Sequence, residues 1–369
     1  MEVAERARAD VYLSDAGRKG AGRSVSAALP PKQPENARGE RMVLNLFFEE
    51  RDDRWFQGDR HLRPLLRRLL LGKPWISGQQ RVFLNLCAGL DRLGIRYRVN
   101  DYRYIRKHPE ELACIIGRPF VLDRIEWKNP ILLGVAMYNH PIDDPDLLTR
   151  VPIKHIVVPC DWYVEMCRPG WPSVEAWPVG IDTDAWSPKP AARKSVDVLL
   201  YDKVRWDHDR YEQELIEPIR AHLRASGRSF EEIRYGSYKE DDYQAALARC
   251  RTMIFLCEHE SQGIACQQAL ASNVSVFAWD RGGAWQDPNY FPHKVRFEGV
   301  SSVPYWDERC GMKFANTEGF GARWAEFWAH SQAGNFKPRD YMLDNLTLEK
   351  GALHYYEIAQ AVMQRLSAR

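Results

Sequence analysis

The hydrophobic positions of the chain fall into short apolar runs that alternate with longer amphipathic stretches. Apolar runs lie at 43–48, 97–100, 112–116, 130–137, 155–159, 196–201, 233–235, 253–257 and 274–278. Helical patterns lie at 79–93, 209–224, 241–250, 263–272 and 347–366. Short, continuously apolar runs are typical of strands buried on both faces of a parallel sheet. The alternation therefore predicts two α/β units, each a parallel sheet with helices on both faces.

A proline-containing segment separates the two units. Pro178, Pro188 and Pro190 flank small and polar residues, which is typical of an interdomain linker. Residues 1–41 are rich in Ala, Arg, Gly, Ser and Pro and show no hydrophobic periodicity, so they are predicted to be a disordered tail. A chain of 369 residues is long enough for two domains of ordinary size.

The segment 255–280 combines two apolar strands with a short helix of small residues. In such a βαβ unit the helix begins at the carboxyl edge of the sheet, where open α/β sheets bind their ligands. The free N–H groups at the start of this helix, those of Gln262, Gly263 and Ile264 among them, would form an anion site. Gly263 also lets a ligand approach the backbone closely.

Two polar side chains accompany this helix. Glu260 precedes it, and Gln268 follows eight residues later, about two turns or ~12 Å along the axis. The two side chains could therefore hold two separated groups that carry hydroxyls. In the simpler interpretation, Glu260 only caps the helix and Gln268 lies on the surface.

Composition narrows the class of protein. The chain is 45% hydrophobic and 12% aromatic, as in globular proteins, and its net charge is +2. Residues 1–41 carry eight basic and six acidic residues, and the rest of the chain carries 44 of each sign. This balance argues against a nucleic-acid partner, since nucleic-acid binders present a basic face. The eight cysteines include no C-x-x-C pair and are predicted to be reduced core residues of a cytoplasmic protein.

Membrane association is predicted to be peripheral at most. No run of about eighteen apolar residues occurs, and the N-terminus has no hydrophobic signal core. Residues 60–73 mix leucines with five cations, a pattern that can contact the anionic inner face of a membrane. A solvated helix that packs through its leucines is the alternative.

Three segments together resemble one known family. The stretch from Glu260 to Gln268 resembles the E-x7-E element of retaining glycosyltransferases of the family-four type (glycosyl transferases group 1), with Gln at the second position. The segment 179–188, VGIDTDAWSP, is similar to the NGVDTxxFxP segment between the domains of that family. The segment 158–165, VPCDWYVE, looks like the strand and helix start that precede it. The resemblance covers 42–369 and is strongest over 150–285.

The resemblance implies a fold and an activity. The fold is GT-B, in which two Rossmann-like parallel-sheet domains face a cleft, here an acceptor domain at 42–186 and a donor domain at 187–345. A C-terminal helix, 346–369, returns to the first domain. The implied activity is transfer of a sugar from a UDP- or GDP-sugar to a hydroxyl of a glycan, a lipid-linked saccharide or a small molecule, as in polysaccharide biosynthesis, with retention of anomeric configuration.

The resemblance also implies roles for the residues of the helix segment. The first Glu of the element contacts the donor sugar in that family, which assigns this role to Glu260. The second contacts the nucleotide ribose, which assigns Gln268. Gln keeps donor and acceptor capacity for ribose hydroxyls, but it loses a charge-assisted bond worth roughly 1 kcal/mol.

Cations for the diphosphate are expected in the loop after the strand at 196–201. This loop contains Lys203, Arg205 and Arg210, and the last two have the spacing of the family's diphosphate-binding Arg and Lys. Arg in the second position still binds phosphate in bidentate fashion. The alternative is that these cations pair with the acidic residues of the same loop.

Three further positions match the family more weakly. Ser77 and Gly78 stand where the family has a Gly-Gly loop near the donor phosphates, and His140 follows a strand, as does a family His near the transferred sugar. Gly236 lies in a loop expected to border the nucleobase, and 280–283, DRGG, resembles a D-x-G-G segment. Plain turns and a structural histidine are the alternatives.

No metal or other cofactor is expected, because cations and a helix N-terminus can neutralise the leaving diphosphate. The two D-x-D triplets, 182–184 and 207–209, fall in the linker and in the basic loop, and neither is predicted to bind a metal. The rival functions are a nucleotide-sugar epimerase, a phosphorylase, and a non-catalytic homologue that binds a nucleotide sugar or glycan. The donor sugar, base, acceptor and oligomeric state do not follow from the sequence.

Overall fold

The computed structural model describes residues 42–49, 77–135, 137–189 and 194–368. The tail at 1–41 and the basic stretch at 60–73 lie outside these ranges. The disorder predicted for the first and the membrane contact predicted for the second therefore stay predictions.

The first sheet contains six parallel strands in the order β2-β1-β3-β4-β5-β6. The strands are β1 Leu44–Phe47, β2 Tyr97–Val99, β3 Ala113–Ile116, β4 Ile131–Gly134, β5 Ile153–Val158 and β6 Val174–Ala176. The helices are α1 Gly78–Leu93, α2 Tyr102–Lys107, α3 Leu147–Arg150 and α4 Asp161–Cys167, with 3-10 turns at Pro119–Asp123 and Pro141–Asp143. Strands β1, β3 and β4 are buried at every residue, which is why their sequences are continuously apolar.

The second sheet contains five parallel strands in the order β11-β10-β9-β7-β8. The strands are β7 Val196–Asp202, β8 Phe230–Arg234, β9 Cys250–Leu256, β10 Ser275–Trp279 and β11 Gly311–Phe314. The helices are α5 His208–Tyr211, α6 Glu217–Ala225, α7 Glu240–Arg249, α8 Ile264–Ala271, α9 Phe320–Gln332 and α10 Pro338–Asn345, and a π-helical turn, Glu212–Ile216, joins α5 to α6.

The last helix, α11 Leu348–Ser367, leaves the second unit and packs on the first. Its buried residues Tyr355, Tyr356 and Val362 belong to the same core cluster as Leu44 of β1 and Leu86 of α1. Two parallel-sheet units with a C-terminal helix that returns to the first constitute the GT-B architecture, so the predicted fold class is confirmed.

Three glycines allow the returning helix, α1 and the linker to meet closely. A Cβ on Gly180 would lie 2.1 Å from the carbonyl oxygen of Thr347, and one on Gly89 would lie 2.3 Å from that of Leu348. A Cβ on Gly351 would lie 2.4 Å from the backbone nitrogen of Gly180. No side chain fits at these separations, because dense interiors accommodate added atoms poorly.

Three of the four edge strands were missed or predicted with wrong bounds. The strand predicted at 233–235 was wrong in its bounds: β8 is Phe230–Arg234 and is only partly buried, so it has no continuous apolar run. Strands β6 and β11 and helices α9 and α10 were not predicted. Strands β6, β8 and β11 are all edge strands of their sheets, where one side of the strand lacks a neighbour.

The chain between β10 and β11 bridges the two units. Trp285, Tyr290, Val295 and Val300 from this segment belong to a core cluster of the first unit. The hydroxyl of Tyr290 also donates to Asp143, at 2.8 Å. A segment of the second unit, which follows strand β10, therefore packs into the core of the first unit.

The cysteines and the helices bear on two further expectations. All eight cysteines are buried and unpaired, as predicted for reduced core residues. In the described ranges, no helix has both the length and the apolar character that crossing a bilayer requires.

Candidate functional site

The site lies where strand order reverses in the second sheet. Strand β7 is flanked by β8 on one side and β9 on the other, and the chain passes from β7 to β8 and then crosses back past β7 to β9. At such a switch point, the loops after adjacent strands separate and open a crevice at the carboxyl edge. The loop after β7 begins at Lys203, and the loop after β9 contains Glu258, His259 and Glu260.

An ion pair joins these two loops. The Lys203 ammonium donates to the Glu260 carboxylate, and the two side chains are 12% and 10% exposed. The Lys203 amide also donates to the Leu256 carbonyl at 2.7 Å, which fixes the start of its loop against the end of β9. Burial alone would raise the pKa of the Glu260 carboxyl, but Lys203 and Arg205 outweigh burial and hold that pKa below its ordinary value.

Arg205 stabilises the loop after β9 from the other side. Its Nη2 donates to the His259 carbonyl at 2.7 Å, and its guanidinium lies 4.2 Å from the ring centre of Trp206. The amides of Arg205 and Trp206 both donate to Oε1 of the fully buried Glu258, at 2.7 and 2.8 Å. Glu258 therefore holds the backbone of the loop after β7. The cationic side chains of this loop that lie at the edge are those of Lys203 and Arg205.

His259 lies in the loop after β9 and is only 4% exposed. Its ring is surrounded by Trp162, Trp206 and Trp285, with ring centroids 5.7, 5.0 and 6.5 Å away. Burial lowers the pKa of His259 to about 3, and the charge of Arg205 lowers it in the same direction. The ring is therefore neutral near pH 7.

Two segments fix the backbone of Glu260. Its amide donates to the Ser301 carbonyl at 2.9 Å, and its carbonyl accepts from the indole of Trp162 at 3.0 Å. Asp280 holds the first of these segments by accepting from the Ser301 hydroxyl at 3.0 Å and from the Ser302 amide at 2.8 Å. Because Trp162 belongs to α4 in the first unit, both units position Glu260.

The start of α8 faces the linker and the first unit. Gly263 has φ of +70° and precedes the helix, and a Cβ at this position would lie 3.6 Å from Cγ of Glu260. Gln262 is buried and bridges the linker: its Nε2 donates to the Trp177 carbonyl at 3.2 Å, and its Oε1 accepts from the Val179 amide at 3.3 Å. Ile264 packs against core clusters of both units.

The simpler interpretation of Glu260 and Gln268 does not describe their surroundings. No side chain caps α8, and the Glu260 carboxylate instead pairs with Lys203 and accepts from the Ser261 amide at 3.2 Å. Gln268 is 8% exposed and does not lie on the surface. The structure thus brings Lys203, Arg205, Glu260 and Gly263 together at one edge.

Arg210 has different surroundings. It lies on α5 with its guanidinium 3.2 Å from Asp207 and 3.4 Å from Glu214, and its side chain is half exposed. Such pairing with nearby acidic residues is what the alternative interpretation of the basic loop predicts for its cations. A diphosphate contact of Arg210 stays a prediction, as does ribose binding by Gln268.

His140 belongs to the first unit and lies near the site, where the Trp285 ring neighbours both its ring and that of His259. The His140 ring lies 6.3 Å from the Trp285 ring, which in turn lies 6.5 Å from the His259 ring. Its Nδ1 accepts from the Ile142 amide at 3.2 Å, so the side chain caps the turn Pro141–Asp143. Burial lowers the pKa of His140. This geometry fits the structural alternative and also places the ring near the edge.

The remaining predicted positions are glycines and acidic triplets. Gly78 is the first residue of α1 and has open space where a Cβ would be, and Gly236 follows β8 with φ of +83°. In the linker triplet, Arg92 lies 2.9 Å from Asp182 and 3.6 Å from Asp184. Within the described ranges, the metal-compatible cluster is formed by His108, Glu110 and Glu111, before the amino end of β3.

Several site residues were not assigned a role from the sequence. Trp162, Asp280 and Ser301 position Glu260 from segments that are distant along the chain, and His259 lies within the apolar and acidic segment already singled out. The D-x-G-G similarity marked Asp280 but did not indicate its function. No local pattern identifies Trp162 or Ser301, because both act through contacts made only after the units meet.

Comparison with known proteins finds only distant structural similarity. No protein-family model and no curated protein matches the chain. Similar solved structures include WaaG, a glycosyltransferase involved in lipopolysaccharide biosynthesis, at 10% identity over 86% of this chain and 99% of that chain, with a TM-score of 0.47. AviGT4, a glycosyltransferase involved in avilamycin A biosynthesis, has 13% identity over 78% of this chain and 90% of that chain, with a TM-score of 0.48.

A third similar structure is that of accessory secretory proteins 1, 2 and 3 in Streptococcus pneumoniae, at 12% identity and a TM-score of 0.47. The match covers 72% of this chain but only 56% of that chain. Similarity at this level says nothing about activity. The GT-B assignment rests on the two sheets and the returning helix.

Proposed function

We propose that this protein is a glycosyltransferase that moves a sugar from a nucleotide-sugar donor to a hydroxyl acceptor with retention of anomeric configuration. The observation that carries the proposal is the buried Glu260 carboxylate, which is held by Lys203 at the switch point of the second sheet and beside the start of α8. A carboxylate in this position is suited to accept hydrogen bonds from sugar hydroxyls, while the neighbouring cations receive phosphate.

The leaving group in this reaction is a nucleoside diphosphate, and its developing charge needs stabilisation. Lys203 and Arg205 supply two cations at the edge, and the amides at the start of α8 supply further donors. The proposed leaving-group stabilisation therefore depends on these groups, and we propose that transfer does not require a metal. Unchanged turnover in the presence of a chelator is the expected result.

Retention follows in this proposal from attack on the same face of the sugar that the diphosphate leaves. Such a step needs no enzymatic nucleophile. It needs the donor sugar to be held in one orientation, and this is the role proposed for Glu260. The acceptor hydroxyl would approach from the first unit, where His140 lies near Trp285.

A second candidate function is binding of a nucleotide sugar or glycan without catalysis. The ion pair favours it, because Lys203 is already engaged by Glu260 and Arg205 by the His259 carbonyl. A ligand must compete with these contacts. Gln268, in place of a second carboxylate, favours the same alternative.

Calorimetry with UDP, GDP and a panel of their sugars, followed by donor hydrolysis and transfer assays, separates the two candidates. Turnover of one donor supports the enzyme, whereas tight binding without turnover of any donor supports the binding protein. Glu260→Ala should abolish transfer and leave binding of the free nucleotide intact. Glu217→Ala, which removes a carboxylate from an exposed ion pair on α6, is the control. Unchanged turnover of the Glu260 variant would remove this residue from the mechanism.

We also propose that the reaction occurs at the cytoplasmic face of a membrane, with residues 60–73 in peripheral contact with anionic lipid. The support is the sequence pattern of leucines and cations alone. Failure of vesicles rich in anionic lipid to sediment the full-length protein would contradict this part of the proposal.

A further inference from the structure

The ring of His259 lies at the junction of the two units. Trp162 belongs to the first unit, Trp206 follows β7, and Trp285 belongs to the segment that packs on the first unit. All three indoles lie within 6.5 Å of the His259 ring, measured between ring centroids. A ligand that reaches this ring therefore enters between the units, at the same edge as Glu260.

The contacts of the ring determine which nitrogen carries the proton. Nη2 of Arg205 lies 3.4 Å from Nδ1 of His259. A guanidinium nitrogen can only donate, so Nδ1 must be the acceptor. The ring is neutral near pH 7 because burial and Arg205 depress its pKa. Its single proton is therefore on Nε2, and Nε2 is a hydrogen-bond donor.

This donor is buried without a partner. In the ranges that the structure describes, Nε2 of His259 makes no hydrogen bond, and the same holds for Oε2 of Glu258, Nε of Arg281 and Oγ of Ser302. These residues come from the loops after β9 and β10 and from the segment that holds Glu260. Buried polar groups without partners are rare in folded proteins. These four atoms belong to segments that meet at the carboxyl edge of the second sheet, where a ligand can satisfy them.

We propose that Nε2–H of His259 donates a hydrogen bond to a hydroxyl oxygen of the sugar in the donor site. This inference rests on the function proposed above. The reason is that a neutral N–H donor and a carboxylate acceptor lie on neighbouring residues. The donor belongs to His259 and the carboxylate to Glu260, whose charge acts on His259. A hydroxyl can accept from His259 and donate to the Glu260 carboxylate. A phosphate oxygen cannot donate to that carboxylate, and it would instead accept hydrogen bonds from the cations Lys203 and Arg205.

Two substitutions of His259 distinguish the effect of its N–H donor from the effect of the ring as a packing group. His259→Leu removes the N–H, and His259→Gln places an amide N–H near the position of Nε2. Binding of UDP, GDP, UDP-glucose and GDP-mannose is measured by calorimetry for both variants and for the wild type. We expect His259→Leu to weaken the nucleotide sugar that the wild type binds by about tenfold, the effect of a single lost hydrogen bond. The corresponding free diphosphate should change by less than about twofold, and His259→Gln should recover most of the loss.

Other outcomes overturn the inference in distinguishable ways. Equal weakening of diphosphate and nucleotide sugar would show that the ring only supports the loop. Unchanged binding of both, in a protein that still transfers sugar, would remove His259 from sugar recognition and leave the proposed function standing. A wild type that binds none of the four ligands would remove both proposals.

The wild type also provides a test if His259→Leu does not fold. The ¹⁵N resonances of the His259 ring report which nitrogen is protonated. They should show a proton on Nε2 that shifts when the nucleotide sugar is added and not when the free diphosphate is added. A proton on Nδ1, or the same shift with both ligands, would contradict the inference.

Discussion

Replacing Lys203 by Met removes one charge from the buried ion pair and keeps most of the side-chain volume. The two side chains of the pair are only 12% and 10% exposed, so Glu260 cannot recover hydration when its partner is lost. Breaking a buried pair at one end costs about 3–5 kcal/mol, because an uncompensated charge stays behind. Arg205 still acts on Glu260, and the Ser261 amide still donates to it at 3.2 Å. We therefore expect the lower end, about 3 kcal/mol.

Urea unfolding at pH 7, followed by the fluorescence of the thirteen tryptophans, measures this free energy of unfolding. The double variant Lys203→Met, Glu260→Gln should recover part of the loss, since it leaves no isolated charge at the edge. Arg210→Met is the matched control: it removes a cation from the same loop, but from a half-exposed pair, and should cost less than about 1 kcal/mol.

A loss below about 1 kcal/mol for Lys203→Met would refute the reasoning, because it would place the Lys203–Glu260 pair among exposed ion pairs. Additive effects in the double variant would refute it in another way, since they would show that the two charges do not interact.

Two further predictions concern other parts of the molecule. Gly180→Ala places a Cβ 2.1 Å from the Thr347 carbonyl oxygen and should destabilise the protein by about 1–3 kcal/mol in urea unfolding. The control Gly78→Ala places its Cβ in open space and should not destabilise the protein. Equal effects of the two substitutions would contradict the close packing of the linker on α11. The pKa of His259 falls from 6.5 to about 3 on folding, so the unfolded chain binds more protons and stability is lost as pH falls below 6.5. Between pH 7 and 5 this loss of stability amounts to ~2 kcal/mol. The His259→Gln variant has no imidazole at this position, so its free energy of unfolding should fall by ~2 kcal/mol less over the same pH range. Parallel pH profiles of variant and wild type would show that the ring titrates normally.

Much of the fold could be predicted because its signals are local. Strands β1, β3, β4, β9 and β10 are buried on both faces and produce continuous apolar runs at the expected places. The edge strand β8 exposes part of each residue, so its pattern was weaker and its predicted bounds were wrong. The two helices that follow β11, α9 and α10, carry less regular patterns and were not predicted.

The candidate site divides in the same way. Glu260 and Gly263 were proposed from the sequence because they occupy one βαβ segment with a recognisable spacing. Lys203 was proposed as a member of a basic loop, but its pairing with a carboxylate 57 residues away was not predicted. Arg210 belongs to the same basic segment and lies on α5 with a half-exposed side chain. Charge and loop membership did not separate these two cations, because burial depends on the neighbouring strand.

The sequence by itself determined the two parallel sheets and the segment that carries the candidate carboxylate. These features follow from hydrophobic periodicity and from short motifs, which depend on neighbours along the chain. Only the tertiary structure decided that Trp162 and Ser301 hold the Glu260 backbone and that His259 keeps a buried N–H without a partner. The physical reason is that these contacts join residues far apart in sequence, and burial of the whole edge gives them their strength.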